Sequence, residues 1–134
     1  MLRRSKIKYL VKGDVCMNKI KISKNFSLHE FECKDGSHLV KVDEELIDKL
    51  QQLRDLIGKP IPIHSGYRTP EYNKKVGGAT KSQHLLGKAA DISVNGISSE
   101  KLAELAEKVG FNGIGIYKTF VHCDVRGYKA HWRG

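Results

Sequence analysis

Apolar residues recur along this chain at two distinct periods, and the two periods divide it into helices and strands. Leu46, Leu50, Leu53 and Ile57 fall at helical spacing and Gly58 follows them, so residues 43–57 are expected to form a helix that buries one stripe. A second helix is expected from Ser98 or Ser99 through Val109, with Leu102, Leu105 and Ala106 inward and Gly110 at its end. A shorter one starts at Pro70, continues to Val76 and is closed by Gly77-Gly78. Ser27-Leu28-His29-Glu30-Phe31 places a glutamate three residues after a serine, a capping box that opens a short helix.

The period of two marks the strands. Met17 to Ile22 alternates, Leu39-Val40 and Ile61 to Ile63 are short β-prone pieces, and Ala90, Ile92 and Val94 alternate with Ala89, Asp91 and Ser93. Gly113 to Tyr117 reads as a strand, Lys118-Thr119 as a turn, and Phe120 to Arg126 as the returning strand of a hairpin. On that last strand Phe120, His122, Asp124 and Arg126 share one face, while Val121, Cys123 and Val125 share the other. Helices segregated around a small antiparallel sheet indicate an α+β fold.

The chain's 134 residues suffice for one domain with a proper core. Residues 17–134 are expected to form that domain, and residues 1–16, basic and without a clear pattern, a disordered extension. No apolar run approaches the roughly 20 residues of a membrane-spanning helix. No long apolar stretch follows Arg3 and Arg4, so a secretory signal is not expected either. Composition adds a net charge of +9, much of it in the lysines and arginines before residue 25. Such a balance suits an anionic partner: nucleic acid, a membrane surface or an acidic polymer. No helix-turn-helix, zinc-finger spacing or aromatic-basic platform accompanies it, so no specific nucleic-acid partner is expected. Cys16, Cys33 and Cys123 are odd in number and widely separated, against a disulfide framework or a cysteine-rich metal site. Cys123, on the apolar face of its strand, is expected to be a buried small hydrophobe.

The candidate chemistry lies in Ser82-Gln83-His84-Leu85-Leu86-Gly87-Lys88-Ala89-Ala90-Asp91 and in Phe120-Val121-His122-Cys123-Asp124-Val125-Arg126. Gly87 breaks any helix begun at Gln83, Asp91 falls on the polar face of the strand that follows, and His122 falls on the polar face of a strand able to pair with it. Two imidazoles and a carboxylate are the protein ligands of a catalytic zinc, with a fourth position for water. The spacing alone fits a hydrogen-bonded His–Asp pair equally well.

Ser82-x-His84-x-x-Gly87-x-Ala89-x-Asp91, followed by His122, resembles the metal signature of the D-Ala-D-Ala carboxypeptidase-like metallopeptidases. That family belongs with lysostaphin-type endopeptidases and the hedgehog signalling domain in one zinc-binding superfamily. Ser65-Gly66-Tyr67-Arg68-Thr69-Pro70-Glu71-Tyr72-Asn73 is similar to the family's Gly-Tyr-Arg segment, and the resemblance spans roughly residues 22–133. It implies a hedgehog and D-Ala-D-Ala peptidase-like fold, zinc as cofactor, and His84, Asp91 and His122 as its ligands. It also implies hydrolysis of peptidoglycan peptides next to D-alanine or within cross-links, with the bacterial cell wall as the site of action. A monomer is expected.

Around that metal, Arg68 is the candidate partner of a substrate carboxylate or oxyanion, a role the resemblance supports over capping the helix at Pro70. Many members of the family carry a glutamate base three residues before the second metal histidine; here that position is Thr119. Asp124 is the nearest carboxylate, expected either to act as the base or to orient His122. Tyr117 and His131 are further candidates for stabilising an intermediate, and Ser82 for shaping the loop and lining the cleft. The missing glutamate leaves open a zinc-stabilised wall-binding module without hydrolysis. His29, His38 and His64 are expected outside the site, and Trp132 over the core or the cleft rim, the core being the first choice.

Overall fold

The computed structural model describes residues 7–12 and 17–134. Its elements in chain order are β1 (Ile7–Lys12), β2 (Leu39–Asp43), α1 (Glu44–Ile57), β3 (Ile63–Ser65), α2 (Pro70–Lys75), β4 (Ala89–Ile92), α3 (Ser99–Val109), β5 (Gly113–Ile116), β6 (Val121–Asp124) and β7 (Ala130–Arg133). Single 3-10 turns at Met17–Lys19, Leu28–Phe31 and Gln83–Leu86 punctuate the connections. β1 and β2 form an antiparallel ribbon, and the other five strands form a sheet in the order β3-β4-β6-β5-β7. Every pairing in that sheet is antiparallel except β5 with β7. The α+β class expected from the periodicity is the class observed.

The helices begin and end where their capping residues dictate. The Asp43 carboxylate accepts from the Glu45 N–H at 2.8 Å to open α1, and Gly58 closes it in the left-handed conformation. Thr69 caps α2 with Pro70 in its first turn, and Ser98 caps α3 by accepting from the Lys101 N–H at 3.2 Å. At the Leu28–Phe31 turn the Glu30 carboxylate reaches back to the Ser27 N–H at 2.7 Å, one arm of the expected capping box.

One hydrophobic core forms under the five-stranded sheet. Leu46, Ile47, Leu50 and Leu53 of α1 meet Leu102, Ala103 and Ala106 of α3 and the inward side chains Ala90, Ile92, Ile114, Val121 and Cys123. α3 packs on β5 and β6, while α1 lies against α3 and β2. The opposite face of the sheet is left for chemistry.

Two expectations change. Residues 17–22 do not form a strand: Met17–Lys19 is a 3-10 turn, and Lys21 makes only an isolated bridge to Ser27. The cause is Asn18, fully buried, whose amide donates to the Glu32 carboxylate at 2.6 Å and to the His38 carbonyl at 2.8 Å. A side chain tied inward at that point curls the backbone and breaks the alternation. Residues 7–12, expected within a disordered extension, instead pair with β2; the rest of that stretch, residues 1–6 and 13–16, lies outside the described residues. Among the described residues no helix is long and apolar enough to cross a membrane, and Cys33 and Cys123 are buried free thiols.

Leu50 is fully buried between the helices and the sheet. Replacing it with alanine is expected to cost about 2–5 kcal/mol in unfolding free energy, seen as a lower urea midpoint with an unchanged slope.

Candidate metal centre

The register of the sheet assembles the site. Asp91 on β4 lies directly opposite His122 on β6, and His122 in turn faces Gly115 on β5, which faces Trp132 on β7. Ser65 on β3 completes the row on the other side of Asp91. Side chains opposite one another on adjacent strands share a face, so Asp91 and His122 project into the same cleft. His84 arrives from above. Ser82 caps its 3-10 turn by accepting from the His84 N–H at 3.2 Å, and Gly87, at φ 69°, reverses the chain into β4. The backbone of β2 runs so close to Gly87 that a Cβ there would strike the Lys41 carbonyl oxygen.

His84 Nε2 and His122 Nδ1 lie 3.2 Å and 3.1 Å from the same oxygen, Oδ1 of Asp91. All three atoms fall within 4.8 Å of one another, and all three residues are buried. The other nitrogen of each ring is committed as a donor: His84 Nδ1 to the Gly66 carbonyl at 2.7 Å, and His122 Nε2 to the Asp124 carboxylate at 2.7 Å. Neutral imidazoles held in those tautomers turn lone pairs, not protons, toward Asp91. Three lone-pair donors aimed at one point need positive charge among them, either extra protons on the rings or a cation. In a tetrahedral zinc site with bonds of about 2.0–2.1 Å the donors stand roughly 3.3 Å apart, close to the spacing here. The residues fit a metal ion in both chemistry and size.

The electrostatics agree. Burial opposes charge on Asp91, but hydrogen bonds with His122 and His84 outweigh it and hold the carboxyl below the usual carboxylate range. Burial likewise opposes charge on His122, and its contacts with Asp124 and Asp91 overcome that, raising the imidazole above its ordinary value.

Asp124 stands behind the ring of His122. It meets the far nitrogen of the ring, away from Asp91, and its side chain is fully buried. Its oxygens also accept from Arg126 Nε at 2.8 Å and Nη2 at 2.7 Å. Burial works against its charge, yet Arg126 and His122 outweigh it and keep the carboxyl well below the usual range. A Cβ on Gly113, the cross-strand neighbour of Asp124, would sit on this carboxylate.

His84, Asp91, His122 and Arg126 line a cleft of about 550 Å³ together with Arg68, Ser82, Tyr117, Phe120 and Trp132. Arg68 reaches it from the segment after β3, held by Nε to Ser65 Oγ at 3.1 Å, Nη1 to Asn73 Oδ1 at 3.2 Å and Nη2 to Asp91 Oδ2 at 3.4 Å. Its backbone N–H donates to the His84 carbonyl, which locks the two segments together. Tyr117 stacks on Phe120 with ring centroids 4.5 Å apart and accepts from Trp132 Nε1 at 2.9 Å. Trp132 therefore forms a wall of the cleft, 5.2 Å from the His122 ring, and not part of the core, the first choice from sequence. His131, on the opposite face of β7, is exposed beside Glu100 and Glu104 and takes no part in the site. His29 is exposed, His38 pairs with Glu32, and His64 pairs with Ser93. Sequence reasoning missed the anchoring roles of Gly66, Asn73 and Arg126. Asn73 carried a signal as an amide on the short helix directly after the Gly-Tyr-Arg segment, and Arg126 as a guanidinium on the strand face of His122 and Asp124.

The cleft and donor triad make a site that could hold a metal ion, and comparison with known proteins supplies the family. Residues 24–124 match the family model described as Peptidase M15, and the chain belongs to that family. It is similar to the peptidoglycan L,D-endopeptidase MepK of Escherichia coli strain K12, 33% identical over 113 residues that cover 78% of this chain and 62% of the relative. It is 31% identical over 111 residues to the probable peptidoglycan L,D-endopeptidase MepK of Haemophilus influenzae, covering 75% and 59%. It is also 40% identical over 67 residues to the zinc D-Ala-D-Ala carboxypeptidase of Streptomyces albus G, covering 49% of this chain and 26% of that protein. The chain thus spans less than two thirds of the length of these relatives.

Because Gly113 leaves room for the Asp124 carboxylate, Gly113→Ala is expected to lower stability by about 1–3 kcal/mol through overpacking. Gly127→Ala, where an added Cβ meets nothing within 4 Å, serves as the control, and chemical denaturation of both variants checks the difference.

Proposed function

We propose that this protein is a zinc-dependent peptidase that hydrolyses peptidoglycan peptide bonds, next to D-alanine or within cross-links, with His84, Asp91 and His122 as the zinc ligands. The observation that carries the reading is the convergence of three lone-pair donors whose outer nitrogens are already committed to Gly66 and Asp124. The names of the MepK and carboxypeptidase relatives support the substrate class. Zinc at this place supplies a Lewis acid and a water activated near neutral pH.

The chain's own groups supply position and charge. Arg68 presents a guanidinium at the mouth of the triad, pinned by Ser65 and Asn73, where it binds a substrate carboxylate or the oxyanion of the tetrahedral intermediate. Asp124 fixes His122, and Gly66 fixes His84. Ser82 shapes the turn that delivers His84, while Tyr117 and Trp132 form an aromatic side wall against which a peptide packs.

A second reading is a zinc-stabilised cell-wall-binding module with impaired hydrolysis. It is favoured by one observation: among the described residues lining the cleft, no carboxylate or imidazole stands outside the triad to act as a base. The two readings separate on defined muropeptides. The zinc-loaded enzyme is expected to release new amino groups or D-alanine, whereas a binding module sediments with insoluble wall and releases nothing.

His84→Ala and His122→Ala are expected to abolish both stoichiometric zinc, measured by metal analysis, and product release. Chelation should do the same to the unaltered protein, with activity restored by added zinc. Arg68→Ala is expected to keep its zinc and to lower kcat about 10²–10³-fold. Zinc affinity should fall with pH because the ligands must lose protons to bind. Since His122 titrates above the ordinary imidazole value of about 6.5, the decline should begin above that pH and steepen below it, as competition titrations would show.

A further inference from the structure

We infer that Arg126, acting through Asp124, is a positioning residue that sets the imidazole of His122 with Nδ1 turned into the metal site; the inference rests on the zinc reading above. Asp124 receives four hydrogen bonds. One comes from His122 Nε2 at 2.7 Å, and three come from Arg126: its Nε at 2.8 Å, its Nη2 at 2.7 Å and its backbone N–H at 3.1 Å. The guanidinium grips both carboxylate oxygens as a fork, which fixes the carboxylate plane and not merely its position. That plane is what the His122 N–H meets.

The fork is itself braced. The Arg126 guanidinium lies 5.2 Å from the Trp132 ring centre and 5.4 Å from that of Tyr128. Trp132 is in turn tied to the Tyr117 hydroxyl and seated over Gly115, where a Cβ would come within 2.5 Å of the indole. Without the side chain of Arg126, two of the three hydrogen bonds it gives to Asp124 vanish, and among the described residues only the Arg126 backbone N–H and His122 itself still meet the buried carboxylate. His122 is then free to take the other tautomer, which points an N–H at Asp91 and removes a ligand.

A competing role for Arg126 is direct binding of substrate, since it lines the cleft. The two roles separate because a substrate contact changes KM and leaves zinc affinity alone. The test measures the zinc dissociation constant of the full chain by competition with a chromophoric chelator, for the wild type, Arg126→Ala, Arg126→Lys and His84→Ala. Arg126→Ala is expected to bind zinc about 10–100-fold more weakly than wild type, and Arg126→Lys to recover little of the loss, because an ammonium cannot fork. Nitrogen–proton correlation spectra of the zinc-loaded wild type are expected to show His122 protonated on Nε2 only.

Zinc affinity of folded Arg126→Ala within twofold of wild type overturns the inference, as does a wild-type His122 carrying its proton on Nδ1. Where Arg126→Ala fails to fold, Arg126→Lys decides: zinc affinity within twofold of wild type overturns the inference, and a loss of about tenfold or more upholds it. If the wild type binds no zinc, or His84→Ala binds it equally well, the zinc reading falls and takes this inference with it. An intact wild-type site with an unaffected Arg126→Ala removes this inference alone.

Discussion

The pairing of β4 with β6 is the constraint on which the site depends. It sets Asp91 against His122, and the same register sets Ala90 against Cys123 on the reverse face. A slip of one residue would exchange the two faces, carrying His122 into the core and Cys123 into the cleft. The register is therefore enforced by oil and not by the metal: Val121 and Val125 are each buried, and exposing such a side chain costs on the order of 1.5–3 kcal/mol. The hydrophobic effect thus positions a polar site that contributes no apolar burial of its own. β5, the other neighbour of β6, repeats the register on the opposite side and leaves β6 no edge along which to slide.

Burying so much charge in one place works because each charged group finds an opposite one. Asp91 is met by the guanidinium of Arg68, and Asp124 by that of Arg126 and by the N–H of His122. An unpaired ion at either position would be expelled or neutralised. The pairing also gives the cleft its character. Arg68, Lys81 and Arg126 line it against the single carboxylate of Asp91, so an anionic peptide meets a basic surface before it meets the triad.

Much of this was legible in the chain. The helical stripe of Leu46, Leu50 and Leu53, the cap at Ser98, the helix start at Pro70 and the alternation through residues 120–126 each reported a local physical requirement, and the structure meets all of them. The triad was legible only with the family resemblance: spacing put Asp91 and His122 on facing strands and His84 between a serine cap and a glycine stop, a pattern that a hydrogen-bonded His–Asp pair fits as well. What alternation cannot say is which atom of a ring a neighbour touches. Asp124 shares a face with His122 in either role, and its contact with Nε2 shows only in the structure. β7 escaped notice for a different reason. It is four residues long, pairs in parallel with a strand that precedes it by more than a dozen residues, and shows a burial pattern of half-buried and exposed positions that carries little apolar signal. With β7 unseen, Trp132 and His131 could not be assigned to their faces.

β5 gives the cleft no side chain at all. Gly113 and Gly115 present bare backbone on that face, and the residues that fill the space, Asp124 and Trp132, lean in from the strands on either side. Glycine is a poor strand former on entropic grounds, and here the strand tolerates two because it is hydrogen-bonded along both edges. The hollow is thus carved by omission: a furrow one strand wide, whose depth is set by what its neighbours lay into it. Substrate shape can be retuned through the flanking strands, while the furrow's own floor admits no substituent without evicting the carboxylate or the indole.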